Sequence, residues 1–253
     1  MLEKLQCCVD NLNVRPVFVI GTGRSGTHWL GYSLGDHPEV QATIEVHPMF
    51  MLSTRMALNP SLEDELFGKL VRVYCRQIFR SAPKLYLDKS HPNIWIAEKL
   101  LRAFPRALFV AIERNPYATV SSMMKHEAVS AWHKRWREFP IPNRFLGITE
   151  EIAKTYDSIP FPSQCAIRWV AHRDRIRQLR GILGDQLLVI SYETFAHETR
   201  RIIQELQEFL GLAAPIPIPN VRTESLDKWK AHLTDQQVHE IRDVVGFGPD
   251  TEV

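Results

Sequence analysis

The chain has 253 residues, 45% hydrophobic and 24% charged, with a formal net charge of +2. That length allows one sizeable core, and the near-balanced charge argues against a nucleic-acid surface, so any anion site has to be local. Cys7, Cys8, Cys75 and Cys165 lack metal-ligand spacing, MLEKLQCCVDNLNVRP lacks the apolar stretch of a signal peptide, and no run approaches a membrane span. A single soluble, cytoplasmic domain over 1–253 is expected, with no metal.

In chain order, the apolar run Val17 to Ile20 breaks into Gly21-Thr22-Gly23-Arg24-Ser25-Gly26-Thr27, and an apolar helical pattern follows. A strand, a glycine-rich turn and a helix start can grip a phosphate through free backbone N–H groups. Gly21 and Gly26 have the spacing of the nucleotide-binding P-loop, but Thr27 stands where that motif needs lysine, and Arg24 lies inside the loop. Ser61 can cap a helix carrying Leu62, Leu66, Leu70 and Val73 on one side. With Val17–Gly21, the runs Leu85–Asp88, Leu108–Glu113 and Leu187–Tyr192 suit strands of a parallel sheet covered on both faces.

The third run ends at Arg114, where Asn115 can cap a helix and Pro116 fits its first position; Ser122 lies two turns along. Residues 127–162 carry Trp132, Trp136, Phe139, Phe145 and Phe161 without a clear strand. With Trp132 and Trp136 on one helix face, they form either a helical insertion packing its own aromatics or a lid over substrate. Ser163 can cap a helix running to about Arg180 and stopping at Gly181, with Arg168, Arg173, Arg175, Arg177 and Arg180 on a solvated face. Ile202, Ile203, Leu206, Phe209 and Leu210 mark a helix stopping at Gly211, and Thr234 with Gln237 is a capping box. The expected fold is α/β: a P-loop-type central parallel sheet flanked by helices, with an insertion at 127–162 covering the substrate side.

Arg114 then stands at a strand's carboxyl end beside a helix N-terminus, and with Ser122 it suits a dianionic phosphate. Together with the glycine-rich loop, this implies a ligand with two separated phosphate groups.

These residues carry a family likeness. GTGRSGTHWL, then RNPYATVSS, then LLVISYETF before a helix ending FLGL, resemble the sulfotransferases that use 3′-phosphoadenylyl sulfate (PAPS), over about residues 16–233. The resemblance implies that Gly23, Arg24, Ser25, Gly26, Thr27 and His28 hold the 5′-phosphosulfate and that Arg114 and Ser122 hold the 3′-phosphate. It also implies in-line sulfuryl transfer to a hydroxyl or amine without Mg²⁺, leaving PAP. Arg24 resembles the tyrosylprotein and carbohydrate branch, which uses a glutamate base; in HPEVQATIEVHP that match falls on Glu45, while Glu39 reads as a solvated turn residue. His47 can take a proton without any pKa shift. In LYLDKSHPN the resemblance gives Lys89 transition-state stabilisation, but Lys89-Ser90-His91 also matches the K-x-H of phenol-type enzymes, so His91 stands as an alternative base. In NVRTESLDKWKAHLT, Lys228 beside Trp229 matches a nucleotide-closing lysine, with Lys230 as alternative. Tyr192 either lies near the nucleotide or simply ends a buried strand. The sequence leaves the acceptor open: the aromatic middle segment favours a small or moderately apolar hydroxyl compound, and a sugar would also stack on Trp132 or Trp136. The rival readings are a nucleotide-dependent kinase, which lacks its Walker lysine and Walker-B acid here, and a non-catalytic PAP- or PAPS-binding module.

Overall fold

A computed structural model of the chain describes residues 15–218 and 223–248. The expectations for the leader and for Cys7 and Cys8 lie outside the described residues. Strand β1 (Val17–Gly21) leads through the glycine-rich loop into α1 (Thr27–Gly35), β2 (Val40–Ile44), α2 (Met49–Leu58), α3 (Glu63–Ser81) and β3 (Leu85–Lys89). Helix α4 (Ala97–Ala103) precedes β4 (Leu108–Glu113), α5 (Pro116–Met124), α6 (Glu127–Lys134) and α7 (Glu150–Ala153). The long α8 (Phe161–Leu183) is followed by β5 (Leu187–Ser191), α9 (Tyr192–His197), α10 (Thr199–Leu210), α11 (Glu224–Asp227) and α12 (Asp235–Val245).

The strands form one parallel five-stranded sheet in the order β2-β3-β1-β4-β5, with Val17 in register with Leu87 on one side and Leu108 on the other. Successive side chains alternate between faces, and both faces are apolar. Val17, Val19, Val110 and Ile112 pack with Leu30, Leu34 and Leu206, while Phe18, Ile20 and Phe109 pack with Tyr74, Ile78 and Leu100. Helix α10 presents Ile202, Ile203, Leu206 and Leu210 to the first of these clusters, each burial contributing about 1.5–3 kcal/mol. The loops after β1 and β4 leave neighbouring strands and turn to opposite sides of the sheet. That switch point is where an open α/β sheet forms its binding crevice.

Several local expectations are corrected. Strand β2 has no counterpart in the sequence reading, because its VQATI alternates apolar and polar residues at a half-exposed sheet edge. The helix expected from Ser61 begins at Glu63; Asn59 rather than Ser61 caps the preceding turn, accepting from the Ser61 N–H. Helix α8 begins at Phe161, and the Ser163 hydroxyl donates to the Glu240 carbonyl instead of capping it. The helix also passes through Gly181 and stops at Gly184, where φ is 51°. Lys89 belongs to β3, and Tyr192 opens α9 rather than ending β5. The Gly211 stop and the Thr234–Gln237 capping box form as expected.

Within 127–162, Trp132 lies on α6 and Trp136 in a separate turn, so the two do not share a helix. Trp136, Phe145 and Tyr156 are buried in the same cluster as Phe18 and Tyr74. The arginines of α8 do not form one solvated face. Arg168 is completely buried and Arg175 pairs with Glu98, while Arg177 and Arg180 remain exposed. Among the described residues no helix is long and apolar enough to cross a membrane.

Candidate active site

The glycine-rich loop is shaped by close approaches at two glycines. At Gly21, with φ 143°, a Cβ would lie 2.8 Å from the Ile112 carbonyl; at Gly26, with φ 103°, it would lie 2.5 Å from the Tyr192 ring. The Ser25 hydroxyl donates to the Thr22 carbonyl at 2.6 Å, and the Ser25 N–H bonds that same carbonyl. Ser25 therefore helps to close the loop. Helix α1 has no acidic residue in its first turn and no side-chain cap, leaving its leading N–H groups for an anion. The Thr27 hydroxyl, buried at this helix start, has no partner among the described residues. Arg24, exposed and at φ 78°, reaches across the crevice with Nε 3.2 Å from the Ser122 hydroxyl. The two anion sites expected from sequence are thus adjacent.

The second site is set by α5. Asn115 caps it, accepting from the N–H groups of Tyr117 and Ala118, and Pro116 occupies the first helical position. This puts Arg114 at the crevice, where it donates to the Ser225 carbonyl at 2.6 Å and lies 4.4 Å from the centre of the Tyr192 ring. Its Nε is buried without a partner among the described residues, and burial lowers its pKa. Arg114, Ser122, Lys125, Ser225, Lys228 and Trp229 line a cavity of about 220 Å³. Lys228 faces this cavity, whereas Lys230 pairs with Asp227 at 2.7 Å. Tyr192 sits between Gly26 and Arg114, its hydroxyl 2.6 Å from that of Ser225.

The third group surrounds one carboxylate. Glu45 follows β2 with φ 51° and donates its N–H to the Lys89 carbonyl. Its Oε1 accepts from Lys89 Nζ and lies 3.0 Å from His91 Nδ1, while His28 Nε2 faces Oε2 at 3.4 Å. His28 Nδ1 is 2.8 Å from Lys89 Nζ. The expected alternatives Glu45 and His91 are therefore bonded partners, and His28 joins them, a contact with no sequence signal beyond its place after Thr27. His91 Nε2 has no partner and would stand 3.2 Å from a Cβ on Gly23, so the cluster abuts the loop. His47 is exposed and lies outside the cluster.

Burial raises the Glu45 pKa, but bonds from His28 and His91 and the Lys89 charge outweigh it and hold the carboxyl well below the usual range. Burial pushes Lys89 down to about 8 against the pull of Glu45. Burial also takes His91 down to about 4, so at neutral pH its ring is uncharged and Lys89 is the cation that keeps Glu45 ionised. Behind them lies Asp88, wholly buried and raised by burial to about 6, accepting from Tyr74, Asn93 and Thr43. This network anchors the end of β3. Glu39 is no solvated turn residue, because its carboxylate accepts the N–H groups of Ala213 and Ala214. No metal-ligating cluster occurs among the described residues.

The family model described as the Sulfotransferase family matches residues 16–215. The chain belongs to that family. Sulfotransferases also supply its structural neighbours. The sulfotransferase domain from the curacin biosynthetic pathway aligns at TM-score 0.58 and 16% identity, covering 92% of this chain and 98% of that one. The sulfotransferase from Alicyclobacillus acidocaldarius aligns at TM-score 0.54 and 18% identity, covering 92% and 96%. The mouse sulfotransferase SULT7A1, solved with PAP, aligns at TM-score 0.52 and 15% identity, covering 91% and 82%. At these identities the likeness is one of fold. None of the curated proteins matches this chain. Membership supports sulfuryl transfer as the general activity, and it sets aside the kinase reading.

Proposed function

We propose that this chain transfers the sulfuryl group of PAPS to a hydroxyl or amine of a small-molecule or sugar acceptor by in-line displacement, releasing PAP. The observation that carries the proposal is the contact between Arg24 of the loop and Ser122 of α5, which joins the two anion sites into one crevice for a nucleotide bearing two phosphate groups. The unpartnered Thr27 hydroxyl, the uncapped start of α1 and the unpartnered Arg114 Nε fit such a ligand. In this reading Gly23, Gly26, Thr27, Arg24 and His28 meet the 5′ end, and Arg114 with Ser122 takes the 3′-phosphate. Tyr192 and Lys228 flank the nucleotide.

At the reacting centre, Lys89 supplies positive charge to oxygens that gain negative charge in the transition state, and Arg24 assists. Glu45 and His91 take the acceptor proton as one unit. Glu45 accepts from Nδ1–H of His91, fixing the tautomer whose Nε2 lone pair faces the loop, as carboxylates do for catalytic imidazoles. Residues 127–162 form the acceptor side within a single 1–253 domain, since Phe145 stacks on His91 with ring centres 6.1 Å apart. The buried free thiol of Cys165 accords with a cytoplasmic setting.

Calorimetry tests the donor. PAP binds well ahead of ADP with no Mg²⁺ requirement, and labelled PAPS yields a sulfated product from an acceptor panel. Equal affinity for PAP and ADP, or strict Mg²⁺ dependence, would overturn the reading. PAP binding with no transfer to any acceptor would leave a binding module.

A further inference from the structure

Every other wholly buried charge described so far has a partner: Lys89 has Glu45, and Asp88 has three donors. Arg168 of α8 is the exception. It is 0% exposed, and none of its Nε, Nη1 and Nη2 atoms finds an acceptor among the described residues. The rings of Phe145 and Trp132 lie 4.4 and 5.0 Å from its Cζ, supporting the charge without accepting its N–H groups.

The groups that share its field are His91, His126, His133, His172, Tyr156 and Cys165. No carboxylate lies within ion-pair distance of it among the described residues. Arg168 thus stands as a buried positive charge with no carboxylate of its own, an arrangement that protein interiors avoid unless an anion completes it. Burial lowers the Arg168 pKa only to about 10, so it stays charged at neutral pH. Nearby polar atoms are unpartnered too: Nε2 of His91, His133 and His172, and Nδ1 of His126.

The location ties this charge to the reaction. Phe145 lies between the two groups, stacked on His91 on one side and set against Arg168 on the other. His126, half-buried, feels Arg24 and Glu45 of the crevice as well as Arg168. Trp132, half-exposed, lies over the guanidinium and separates it from solvent on that side.

We propose that Arg168 recognises a carboxylate on the acceptor, so that this sulfotransferase acts on compact hydroxy acids whose hydroxyl and carboxylate are about one aromatic ring apart. An arginine fork matches a carboxylate bidentately, and a site built to pair with one discriminates against the neutral analogue, which leaves the buried charge unpaired. The inference rests on the proposed sulfuryl transfer for its hydroxyl end, but the carboxylate end can be measured alone.

The probes are 4-hydroxybenzoate and its methyl ester. With PAP-saturated wild type, saturation-transfer NMR shows the acid bound and the ester bound much more weakly. With PAPS, kcat/KM for the acid exceeds that for the ester by about 10- to 150-fold, the worth of a charge-assisted contact. Arg168→Gln collapses that ratio towards one, and Arg168→Lys keeps part of it. Equal binding of acid and ester by wild type, or an undiminished ratio in folded Arg168→Gln, overturns the proposal. If Arg168→Gln does not melt cooperatively, the wild-type binding comparison decides alone. Acid-selective binding without sulfate transfer would sink the enzymatic reading and leave the role of Arg168 standing; transfer without acid preference does the reverse.

Discussion

Replacing Glu45 with Gln tests the reacting centre most directly, because three groups converge on its carboxylate. The amide keeps the shape and one acceptor oxygen but removes the charge opposite Lys89 and the basicity behind His91. Breaking one side of a buried ion pair costs about 3–5 kcal/mol when the remaining charge must stay. Lys89, already pushed down to about 8, can instead lose its proton near neutral pH, which limits the loss of stability and transfers the damage to catalysis. Two effects then combine. Loss of general-base assistance lowers kcat by roughly 10²–10⁴-fold. Without the pull of Glu45, the Lys89 pKa falls below about 8, so the alkaline limb of activity moves to lower pH than in wild type.

The assay is kcat and kcat/KM from pH 5.5 to 9.5 with saturating PAPS, alongside PAP calorimetry to confirm an intact nucleotide site. His91→Asn and the double variant complete a cycle. If the two residues act as one unit, the double variant is about as slow as the slower single. Turnover of Glu45→Gln within a few-fold of wild type, or an unmoved alkaline limb, would refute the reasoning.

Arg114→Ala should weaken PAP by about 10- to 150-fold, the loss of a charge-assisted contact, while scarcely changing adenosine 5′-phosphosulfate, as titration calorimetry would show; an equal loss for both would make Arg114 structural. Gly26→Ala should destabilise the fold by about 1–3 kcal/mol and weaken all nucleotides, since the new methyl would stand 2.5 Å from the Tyr192 ring at a positive φ; an unchanged melting curve would show that the ring has room to move.

What the sequence disclosed was local chemistry. The Asn115 cap, the Pro116 start, the Thr234–Gln237 box and the four apolar strand runs are each encoded within a few neighbouring residues, and all appear in the structure. Strand β2 escaped because a half-exposed edge strand tolerates polar alternation, and its identity depends on pairing with β3, more than forty positions away. Arg168 was misread for the mirror-image reason. It shares a helix with four other arginines, and only Trp132 and Phe145, brought from elsewhere in the chain, decide that this one is buried. The motifs around Gly21–Thr27, Arg114 and Lys89 were readable one by one. That Arg24 touches Ser122, and that Lys89, His28 and His91 share the Glu45 carboxylate, depends on the sheet order, which no motif records.

The separation of the nucleotide anchors from the Glu45 cluster has a kinetic consequence. In the proposed function, Arg114, Ser122, Lys228 and the start of α1 would grip features common to the donor and to the nucleotide left after transfer, whereas Lys89 and its partners would face the group that departs. Affinity gained at the shared anchors holds reactant and product alike and does nothing to speed bond exchange. The crevice also sets Arg24 and Arg114 close enough to repel when no anion lies between them. An occupied crevice is therefore electrostatically easier than an empty one, and under the proposed function a burst of sulfated product in the first turnover is expected, with departure of the spent nucleotide slower than sulfuryl transfer.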